Sequence, residues 1–594
     1  MADPVRPSPI RPAEDLDSEA FWRGCREERL TLPSCESCGS IAFPPRRWCR
    51  RCGSVASGVW EAHAPTGRVV SFTVTPGGFR PGLAHTYTLA VVQLDEAPDV
   101  RLTLRIVGSS ADPGEPAPVG DRDLAGEVEI DDRVAVAFEH HDGWSVPVAR
   151  LVTAVAGKAS LRVAAQSDAT PAPGSAVAQP GVLRPGQAVP MVNVPMVNVA
   201  GRRPEDEVVI AGVGRSEVGR RLLRSDLDLT LEAAQRAVAD AGLTLADIDG
   251  LATYPGAGMG PPGYSGPHTH DVAGALGIAP RWHRAGAEGS GQLQPLFDGV
   301  LAVAAGLCRH ALVYRTGTES TAAALMKEGR IAAPAFGPAS GFTQWLVPFD
   351  AVTPAHWLAP YQHRHMHDFG TTRAQVGAVS VVAREHASVH PNGILTSPIT
   401  PHDHAEARMI SSPIGLLDCD IPVDGAIAVV VSRADAADTL RPGAAVAIEA
   451  MGTAVGHAPS WHQWPDLTTM AAHGAASSMW SRTDLQPADV DVAQLYDGFA
   501  FLALYWLEAL GFCGHGEAGG FVGDGSAVRL DGSLPLNTSG GQLSGGRLHG
   551  WGLLEEAIHQ VRGTAMGVQV AGANVAVASA GGGPIAGCVL LRSR

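Results

Sequence analysis

Two closely spaced pairs of cysteines are the clearest chemical signal in this sequence. Cys35 and Cys38 form one CxxC motif, Cys49 and Cys52 form another, and a glycine follows each pair, as expected for a tight turn. Four thiolates converging on one point make a closed tetrahedral site suited to Zn²⁺. The spacing therefore predicts a metal site made of Cys35, Cys38, Cys49 and Cys52. A closed site has no open position for water, so its expected role is structural; iron in the same site stays an alternative.

Three histidines, His363, His365 and His367, stand at alternate positions in the segment 361–367 and form a second candidate for metal binding. Alternate spacing places them poorly on one face of a helix. We therefore expect these histidines to face solvent or substrate rather than a metal.

Composition limits the function classes. The chain has 594 residues and a formal net charge of −16, which argues against broad nucleic-acid binding because that needs a basic face. The first residues lack the apolar core of a signal peptide, and no apolar run is long enough to predict a membrane span. Nine cysteines, an odd number, suit a reducing compartment, so a cytoplasmic location is expected.

Composition also divides the chain into segments. A leading helix and the cysteine pairs occupy 1–60, and β-branched, alternating runs in 61–156 predict a small antiparallel β-barrel. The segment 157–205 is rich in Pro, Ala and Gly and carries a tandem Val-Pro-Met-Val-Asn repeat from Val189, so it is interpreted as a linker. From 206 onward, strand and helix patterns alternate, as in layered α/β folds.

The α/β region repeats itself. The stretch 243–254 matches 485–496, and Gly-Gln-Leu at 291 recurs at 541 with a nearly equal offset. These matches predict two similar halves, assigned to 206–440 and 441–594, with any active site between them.

The N-terminal segments resemble a family of zinc-ribbon plus OB-fold proteins that partner thiolase-like enzymes. The resemblance rests on Phe21-Trp22, both CxxC pairs, the Phe-Pro-Pro at 43–45, and the Gly-Arg-Val-Val-Ser-Phe-Thr run from Gly67. It implies that this part associates with an acyl-CoA-binding body, here by docking within the same chain.

The region 206–594 resembles the lipid-transfer, sterol-carrier-type branch of the thiolase superfamily. The matching motifs include Ile-Ala-Gly-Val-Gly from Ile210, Tyr-Asp-Gly-Phe from Tyr496, Asn-Thr-Ser-Gly-Gly from Asn537, and the glycines 581–583. The resemblance implies a thiolase-like α/β fold with two similar halves in α-β-α-β-α layers, an acyl-CoA thioester substrate, and a homodimer formed through this region.

The residues that carry the cysteine chemistry of thiolases are replaced in this sequence. Glu288 stands at the position of the nucleophilic cysteine, followed by Gly289 and Ser290; Arg547 stands at the catalytic histidine position, with His549 two residues later; and Ser579 replaces the final cysteine. An acyl-enzyme needs a thiolate or an equally activated nucleophile, which Ser290 does not obviously provide. The remaining cysteines of the α/β region fall outside these positions and are expected to be core residues.

A subset of this branch consists of aldolases that pair with the zinc-ribbon/OB protein and cleave β-hydroxyacyl-CoA intermediates of steroid side chains. The leading hypothesis is therefore a lyase that cleaves, or forms in reverse, a C–C bond beside a CoA thioester. The proposed catalytic residues are Tyr496, His549 and Asp497, with Tyr496 or His549 as the base. The expected substrate-binding residues are Arg547, whose charge would lower a tyrosine pKa, together with Glu288, Ser290, Gly541 and Gly582.

Two other function classes remain open from the sequence. One is an acyltransferase or condensing enzyme, and the other is a non-catalytic acyl-CoA or lipid carrier. A Schiff-base aldolase is disfavoured because the only lysines are Lys158, in the linker, and Lys327, in a polar segment. The identity of the acyl group is not readable from the sequence.

Overall fold

The computed structural model describes residues 10–46, 48–54, 58–77, 86–110, 128–152, 203–286, 291–332, 337–456 and 460–594. By its internal contacts the chain divides into two compact units. The ribbon–barrel unit comprises Met1–Gln187 and Gly337–Arg364, and the α/β unit comprises Ala188–Phe336 and His365–Arg594. The predicted linker, including its tandem repeat, lies outside the described residues up to 202. Among the described residues, no helix is both long and apolar enough to cross a bilayer.

The ribbon begins with helix α1 (Glu19–Arg26) and contains the antiparallel pair β1 (Leu30–Ser34) and β2 (Val59–His63). Two matching turns carry the cysteines. The amide of Gly39 donates to the carbonyl of Cys35 (2.7 Å), and that of Gly53 donates to the carbonyl of Cys49 (2.9 Å). Both glycines have a positive φ, 70° and 73°, which costs glycine little because it has no Cβ. The predicted tight turns are confirmed.

The barrel consists of five strands: β3 (Thr66–Thr75), β4 (Tyr87–Leu94), β5 (Arg101–Ser110), β6 (Arg133–His141) and β7 (Trp144–Val152). They close in the order β3-β4-β5-β7-β6. The barrel is not fully antiparallel as the sequence suggested, because β5 pairs in parallel with β7. The chain crosses over between these strands, and local alternation does not report the direction of a non-local pairing.

A segment from the middle of the chain completes the core of the ribbon–barrel unit. The ring of Trp345 stacks on that of Trp22 with centroids 5.5 Å apart, and Phe349 joins the same buried cluster. The hydroxyl of Ser71 donates to the carbonyl of Pro360 (2.6 Å). The sequence alone groups 337–364 with the α/β region, whereas its contacts group it with the ribbon and barrel.

The first half of the α/β unit contributes five strands to a nine-stranded sheet. Its strands run in the order β10-β9-β11-β14-β8, with helices packed on them. On β11, Leu312 packs with α2 in one apolar cluster, while the neighbouring Val313 meets Gly299 of α4, so helices cover both faces. The elements of this half are β8 (Val208–Arg215), α2 (Asp226–Asp240), β9 (Gly250–Thr253), α3 (Thr269–Leu276), β10 (Trp282–Ala285), α4 (Gln294–Ala304), β11 (His310–Thr318), α5 (Glu319–Lys327), α7 (Arg373–Val389), α8 (Pro401–Ala405), β12 (Met409–Ser411), β13 (Ile414–Gly415) and β14 (Asp424–Arg433). Helix α6 (Pro354–Phe369) belongs to the ribbon–barrel unit up to Arg364 and to the α/β unit from His365.

The second half continues the sheet in the order β15-β18-β17-β16 and joins the first through two residue pairs between β15 and β8. Its elements are β15 (Val446–Val455), α9 (Ala471–Trp480), β16 (Val492–Gln494), α10 (Ala500–Ala509), α11 (Ala518–Val522), α12 (Gly541–Ser544), α13 (Trp551–Arg562), β17 (Val575–Gly582) and β18 (Ile585–Ser593).

The two halves have the same strand directions. In the first half, β8 is antiparallel to β14, β14 is antiparallel to β11, and β11 is parallel to β9. In the second half, β15 is antiparallel to β18, β18 is antiparallel to β17, and β17 is parallel to β16. The predicted internal repeat and the thiolase-like fold are confirmed.

The repeated sequence stretches coincide in detail. Asp249 accepts amide hydrogen bonds at the start of β11, and Asp491 accepts the equivalent bonds at the start of β17. Gly291 and Gly541, which open the two Gly-Gln-Leu motifs, have φ values of 58° and 59°. The sequence matches therefore mark structurally equivalent turns.

Candidate functional sites

Tyr496 lies in the turn between β16 and α10. Its amide donates to the hydroxyl of Ser579 on β17 (2.9 Å), and its ring covers Gly498, where an added Cβ would lie 2.9 Å from the ring edge. Burial raises the pKa of Tyr496 well above its usual range, and Asp420 raises it further, whereas Arg547 lowers it. Arg547 lowers the pKa of Tyr496 as expected, but burial outweighs the guanidinium charge, so the net shift is upward. Tyr496 is therefore a phenol and a hydrogen-bond donor.

Asp497 points away from solvent and holds the start of α12. Its Oδ1 accepts from the amide of Gln542 (2.9 Å), and a Cβ on Gly541 would lie only 1.9 Å from its Oδ2. Burial raises the pKa of Asp497 to about 6, against the lowering effect of the Gln542 amide. This contact gives the carboxyl group a clear role in fixing the backbone at Gly541.

Arg547 and His549 meet on one carboxylate that the sequence analysis did not single out. Glu319, the first residue of α5, accepts from Arg547 Nη2 (2.9 Å) and Nε (3.2 Å) and lies 2.9 Å from His549 Nε2. Burial would raise the pKa of Glu319, but His549 and the nearby guanidinium groups lower it to about 2. Glu319 is thus a permanent anion that fixes both side chains.

His549 is a neutral base in this arrangement. Burial and the charge of Arg315 lower its pKa to about 4, although Glu319 raises it. With Nε2 donating to Glu319, the lone pair resides on Nδ1. Tyr264 packs edge-on against the imidazole with ring centroids 4.8 Å apart.

Asp420 is a second carboxylate that the sequence analysis missed. Its Oδ1 accepts from Arg547 Nη1 (2.9 Å), and its amide donates to the carbonyl of Gly498 (3.2 Å), directly beside the Tyr496 turn. Burial raises the pKa of Asp420 to about 7; Arg547 opposes this, and Glu319 and Asp497 add to it. Arg547 is therefore held by two carboxylates and is fixed in position rather than free to move.

The other predicted substrate-binding residues have mixed outcomes. Glu288 and Ser290 lie outside the described residues. Gly541 contacts Asp497, as described above. Gly582, near the end of β17, has Leu502 as the closest neighbour of an added Cβ (3.0 Å), so it lies against α10.

The three histidines of the segment 361–367 were expected to face solvent or substrate, but one of them does not face solvent. His365 is buried, and its Nε2 lies 2.9 Å from Oε1 of the buried Glu508, which also pairs with His515. His363 lies 3.1 Å from the carbonyl of Phe72, and His367 pairs with the adjacent Asp368. Among the described residues, the only group of His, Cys, Asp and Glu side chains with the geometry of a metal site is the four-cysteine cluster.

The four ribbon cysteines converge. Cys35 and Cys52 have sulfur atoms 3.6 Å apart, as have Cys38 and Cys49, and all four sulfurs lie within 4.8 Å of one another. A tetrahedral site with metal–sulfur bonds of about 2.3 Å has sulfur–sulfur edges of about 3.8 Å. The hydroxyl of Ser40 lowers the pKa of Cys49 to about 6, which favours the thiolate that a metal binds.

The cysteines of the α/β unit behave as core residues. Burial raises the pKa of Cys308 to about 12 and raises the pKa values of Cys419, Cys513 and Cys588 above their usual range. None of these thiols is activated as a nucleophile.

Three family models match the chain: "ChsH2, rubredoxin-like zinc ribbon domain" over residues 22–55, "ChsH2, C-terminal OB-fold domain" over 60–139, and "Thiolase C-terminal domain-like" over 452–590. The ribbon, barrel and second α/β half therefore each match a family model.

Known proteins are similar to about two thirds of the chain. A steroid side-chain-cleaving aldolase from Thermomonospora curvata is 35% identical over 395 residues, which cover 64% of this chain and 97% of the relative. The 17-hydroxy-3-oxo-4-pregnene-20-carboxyl-CoA lyase of Mycobacterium tuberculosis is 35% identical over 411 residues, covering 65% of this chain and 99% of the lyase. The solved structure of an Ltp2–ChsH2(DUF35) aldolase superposes with a TM-score of 0.58 at 32% identity, covering 65% of this chain and 98% of that chain.

Proposed function

Because this chain belongs to the family of thiolase-like, steroid side-chain-cleaving aldolases, we propose that its α/β unit cleaves a β-hydroxyacyl-CoA by a retro-aldol reaction without a cysteine nucleophile. The name of the M. tuberculosis relative specifies a hydroxyl group β to a CoA thioester, which is the substrate class that this reaction requires. A β-hydroxylated steroid side chain is the first acyl group to test.

The arrangement of His549, Glu319 and Tyr496 carries the proposal. A retro-aldol reaction needs a base for the β-hydroxyl proton and donors for the oxygen of the departing enolate. His549 is neutral and its imidazolium form would be stabilised by Glu319, 2.9 Å away. Tyr496 remains a phenol and can donate.

The proposed steps follow from these protonation states. His549 Nδ1 takes the proton of the β-hydroxyl, the Cα–Cβ bond breaks, and its electron pair moves into the enolate of the thioester while a ketone or aldehyde leaves. The hydroxyl of Tyr496 donates to the developing enolate. The α-carbon then takes a proton, which returns His549 to its neutral form and leaves a shortened acyl-CoA. Asp497 supports the reaction by fixing the backbone at Gly541.

The state of the cysteines favours this reaction over an acyl transfer. Thiolase-type acyl transfer needs a thiolate nucleophile. In the described part of the α/β unit, burial keeps every cysteine in its thiol form.

The four-cysteine cluster of the ribbon–barrel unit is proposed to hold a structural Zn²⁺. Cys35, Cys38, Cys49 and Cys52 would be its ligands, and the ion would cross-link the two glycine turns. The α/β unit is proposed to form a homodimer, and the ribbon–barrel unit to dock within the chain. Light scattering of the purified protein tests the dimer by its mass.

Product analysis tests the proposed reaction. The enzyme is incubated with β-hydroxyacyl-CoA substrates, including one with a steroid side chain, and with the same acyl-CoAs without the hydroxyl group. A carbonyl product plus a shortened acyl-CoA, formed without added CoA and only from the hydroxylated series, is expected. Cleavage of a β-ketoacyl-CoA that depends on free CoA would instead identify a thiolase.

The variant Tyr496→Phe tests the residue assignment in the same assay. Loss of the donor should lower kcat about a hundredfold, with little change in acyl-CoA affinity. Tyr505→Phe is the matched control, because the hydroxyl of this buried tyrosine donates to the carbonyl of Leu467 (2.7 Å). Full activity of Tyr496→Phe would remove Tyr496 from the mechanism.

A further inference from the structure

One buried arginine beside the proposed reaction centre has a guanidinium edge without a partner. Arg315 lies on β11, is only 1% exposed, and donates from Nη1 to the backbone carbonyl of Thr316. Its Nε and Nη2 have no hydrogen-bond partner among the described residues. These two nitrogens form one edge of the guanidinium group and present two parallel N–H donors, the geometry that binds a pair of oxygen atoms.

Leaving such donors unpaired is costly inside a protein. A buried donor without a partner forfeits its hydration, and the penalty is larger for a charged group. Burial accordingly lowers the pKa of Arg315. A charged arginine kept in this state suggests that the missing partner arrives with a ligand.

Contacts place the Arg315 guanidinium group at the proposed site. Its Cζ lies 5.0 Å from the centre of the Tyr264 ring, which itself packs on His549. Its positive charge lowers the pKa of Glu319 and of His549, and Tyr496 in turn raises the pKa of Arg315. The phosphates of CoA lie at the far end of the pantetheine arm from the thioester, so an arginine beside these residues would meet the reacting end of the substrate.

We infer that the free edge of Arg315 binds the two oxygens of a β-hydroxyacyl thioester, the β-oxygen and the thioester carbonyl oxygen, and stabilises the negative charge that moves from one to the other. The inference rests on the proposed retro-aldol function and adds to it the group that recognises the substrate. The β-oxygen and the carbonyl oxygen stand in a 1,3 relation and can be brought side by side to face two parallel donors.

The charge balance of the reaction suits this position. When His549 takes the hydroxyl proton, the β-oxygen becomes alkoxide-like; when the Cα–Cβ bond breaks, its electron pair moves onto the thioester oxygen as the enolate. Arg315 keeps its protons throughout. Both oxygens are neutral before the reaction and gain negative charge during it, so they become stronger hydrogen-bond acceptors. The hydrogen bonds from Arg315 therefore strengthen in the transition state and accelerate the reaction.

Two variants test the role of the edge in catalysis. Arg315→Lys keeps the charge but loses the parallel donors, and Arg315→Met removes both. Both should lower kcat/KM for a β-hydroxyacyl-CoA about 100- to 1000-fold, while the Kd for the matching acyl-CoA without the β-hydroxyl changes less than about threefold. Wild-type rates in either variant overturn the inference while leaving the proposed function intact. Absence of cleavage by the wild-type enzyme, with every hydroxylated substrate, would instead contradict the proposed function.

Stability without substrate provides an independent test. Arg562 is the matched control: its side chain is 2% exposed and its Nε and Nη2 also lack partners among the described residues, but Asp240 meets its charge at 2.7 Å. Removing a buried charge that waits for a ligand should cost little stability, because Glu319 keeps Arg547 and His549 as partners. Arg315→Met should therefore lower the Tm less than Arg562→Met does. An equal loss of Tm, or failure to fold, in Arg315→Met would show that the edge already has an internal partner, which also overturns the inference.

Discussion

The Nε2 atom of His549 lies 2.9 Å from Oε2 of Glu319, and these residues are 230 positions apart in the chain. The carboxylate also holds Arg547, so one side chain orients two of the residues predicted to act on the substrate. An anion beside the imidazole stabilises the cation that forms when the histidine accepts a proton.

The variant Glu319→Gln should therefore lower kcat about a hundredfold or more at neutral pH, because His549 loses the partner of its protonated form. The acid limb of the rate profile, where His549 becomes protonated, should not move up from about pH 4, since removing an anion lowers the histidine pKa further. Rates measured from pH 4.5 to 9 check both points.

Glu555→Gln is the matched control for this prediction. Glu555 is also buried and pairs with Arg215 at 2.7 Å. Its neutralisation should lower the Tm with little effect on kcat. Equal losses of activity in the two variants would contradict a specific role for Glu319.

Asp420 should make the protein less stable as the pH rises. Its pKa is about 7 in the folded protein, because of burial, against a usual value of 3.8. Between these values the folded state keeps a proton that the unfolded chain has lost, so the contribution of this group to stability falls as pH rises through the window and is constant above it. Asparagine does not titrate. The free energy of unfolding of Asp420→Asn minus that of the wild type should therefore rise from pH 4 to pH 7, by at most about 1.4 kcal/mol per unit of pKa difference, and the Tm difference should rise with it.

Asp240 provides a control of opposite sign. Burial would raise its pKa, but Arg562 and Arg441 lower it below the usual value. Its stabilisation is present above about pH 3.8 and is lost as pH falls through the lowered pKa, so Asp240→Asn should be less stable than the wild type at neutral pH. A flat Tm difference for Asp420→Asn across the window would contradict the raised pKa.

Much of the fold could be predicted because its signals are local. A CxxC pair followed by glycine encodes a complete turn within five residues, and Gly39 and Gly53 adopt the expected positive φ. The internal repeat was readable because the same turn precedes the same strand twice, with Asp249 and Asp491 in equivalent places. The parallel strand pair of the barrel depends on a non-local crossover and was missed.

Only part of the site could be predicted from the sequence, because the carboxylates that hold Arg547 come from distant parts of the chain. Glu319 and Asp420 reach Arg547 across 228 and 127 residues. The lowering effect of Arg547 on a tyrosine pKa could be predicted because charge is visible in a sequence, whereas the burial that raises the pKa of Tyr496 overall is not. Arg315 offers one clue in the sequence, because it directly follows the apolar run Ala-Leu-Val-Tyr at 311–314.

Gly541→Ala should disable the site through Asp497. A Cβ would lie 1.9 Å from the Asp497 Oδ2 atom at a φ of 59°, so the turn that holds Gln542 would have to move. Activity should fall at least as far as in Tyr496→Phe.

Gly572→Ala separates the clash from the backbone strain, since the φ of Gly572 is 73° but nothing lies within 4 Å of the added Cβ. That control should cost only about 1–2 kcal/mol of stability and leave kcat unchanged. Similar behaviour of the two variants would argue against a role for the Asp497 contact.

The ribbon should bind one zinc ion per chain. Cys35 and Cys49 come from different CxxC pairs, so replacing both with serine removes half of the ligand set from each side of the site. Elemental analysis should find about one zinc per chain in the wild type and none in Cys35→Ser/Cys49→Ser, whose ribbon–barrel unit should melt at a lower temperature because metal binding contributes to folding. Cys308→Ser, which alters a buried thiol of the α/β unit, should retain the metal. Iron in place of zinc, seen also as visible absorbance, would contradict the zinc assignment, and metal retained by the double variant would contradict the ligand set.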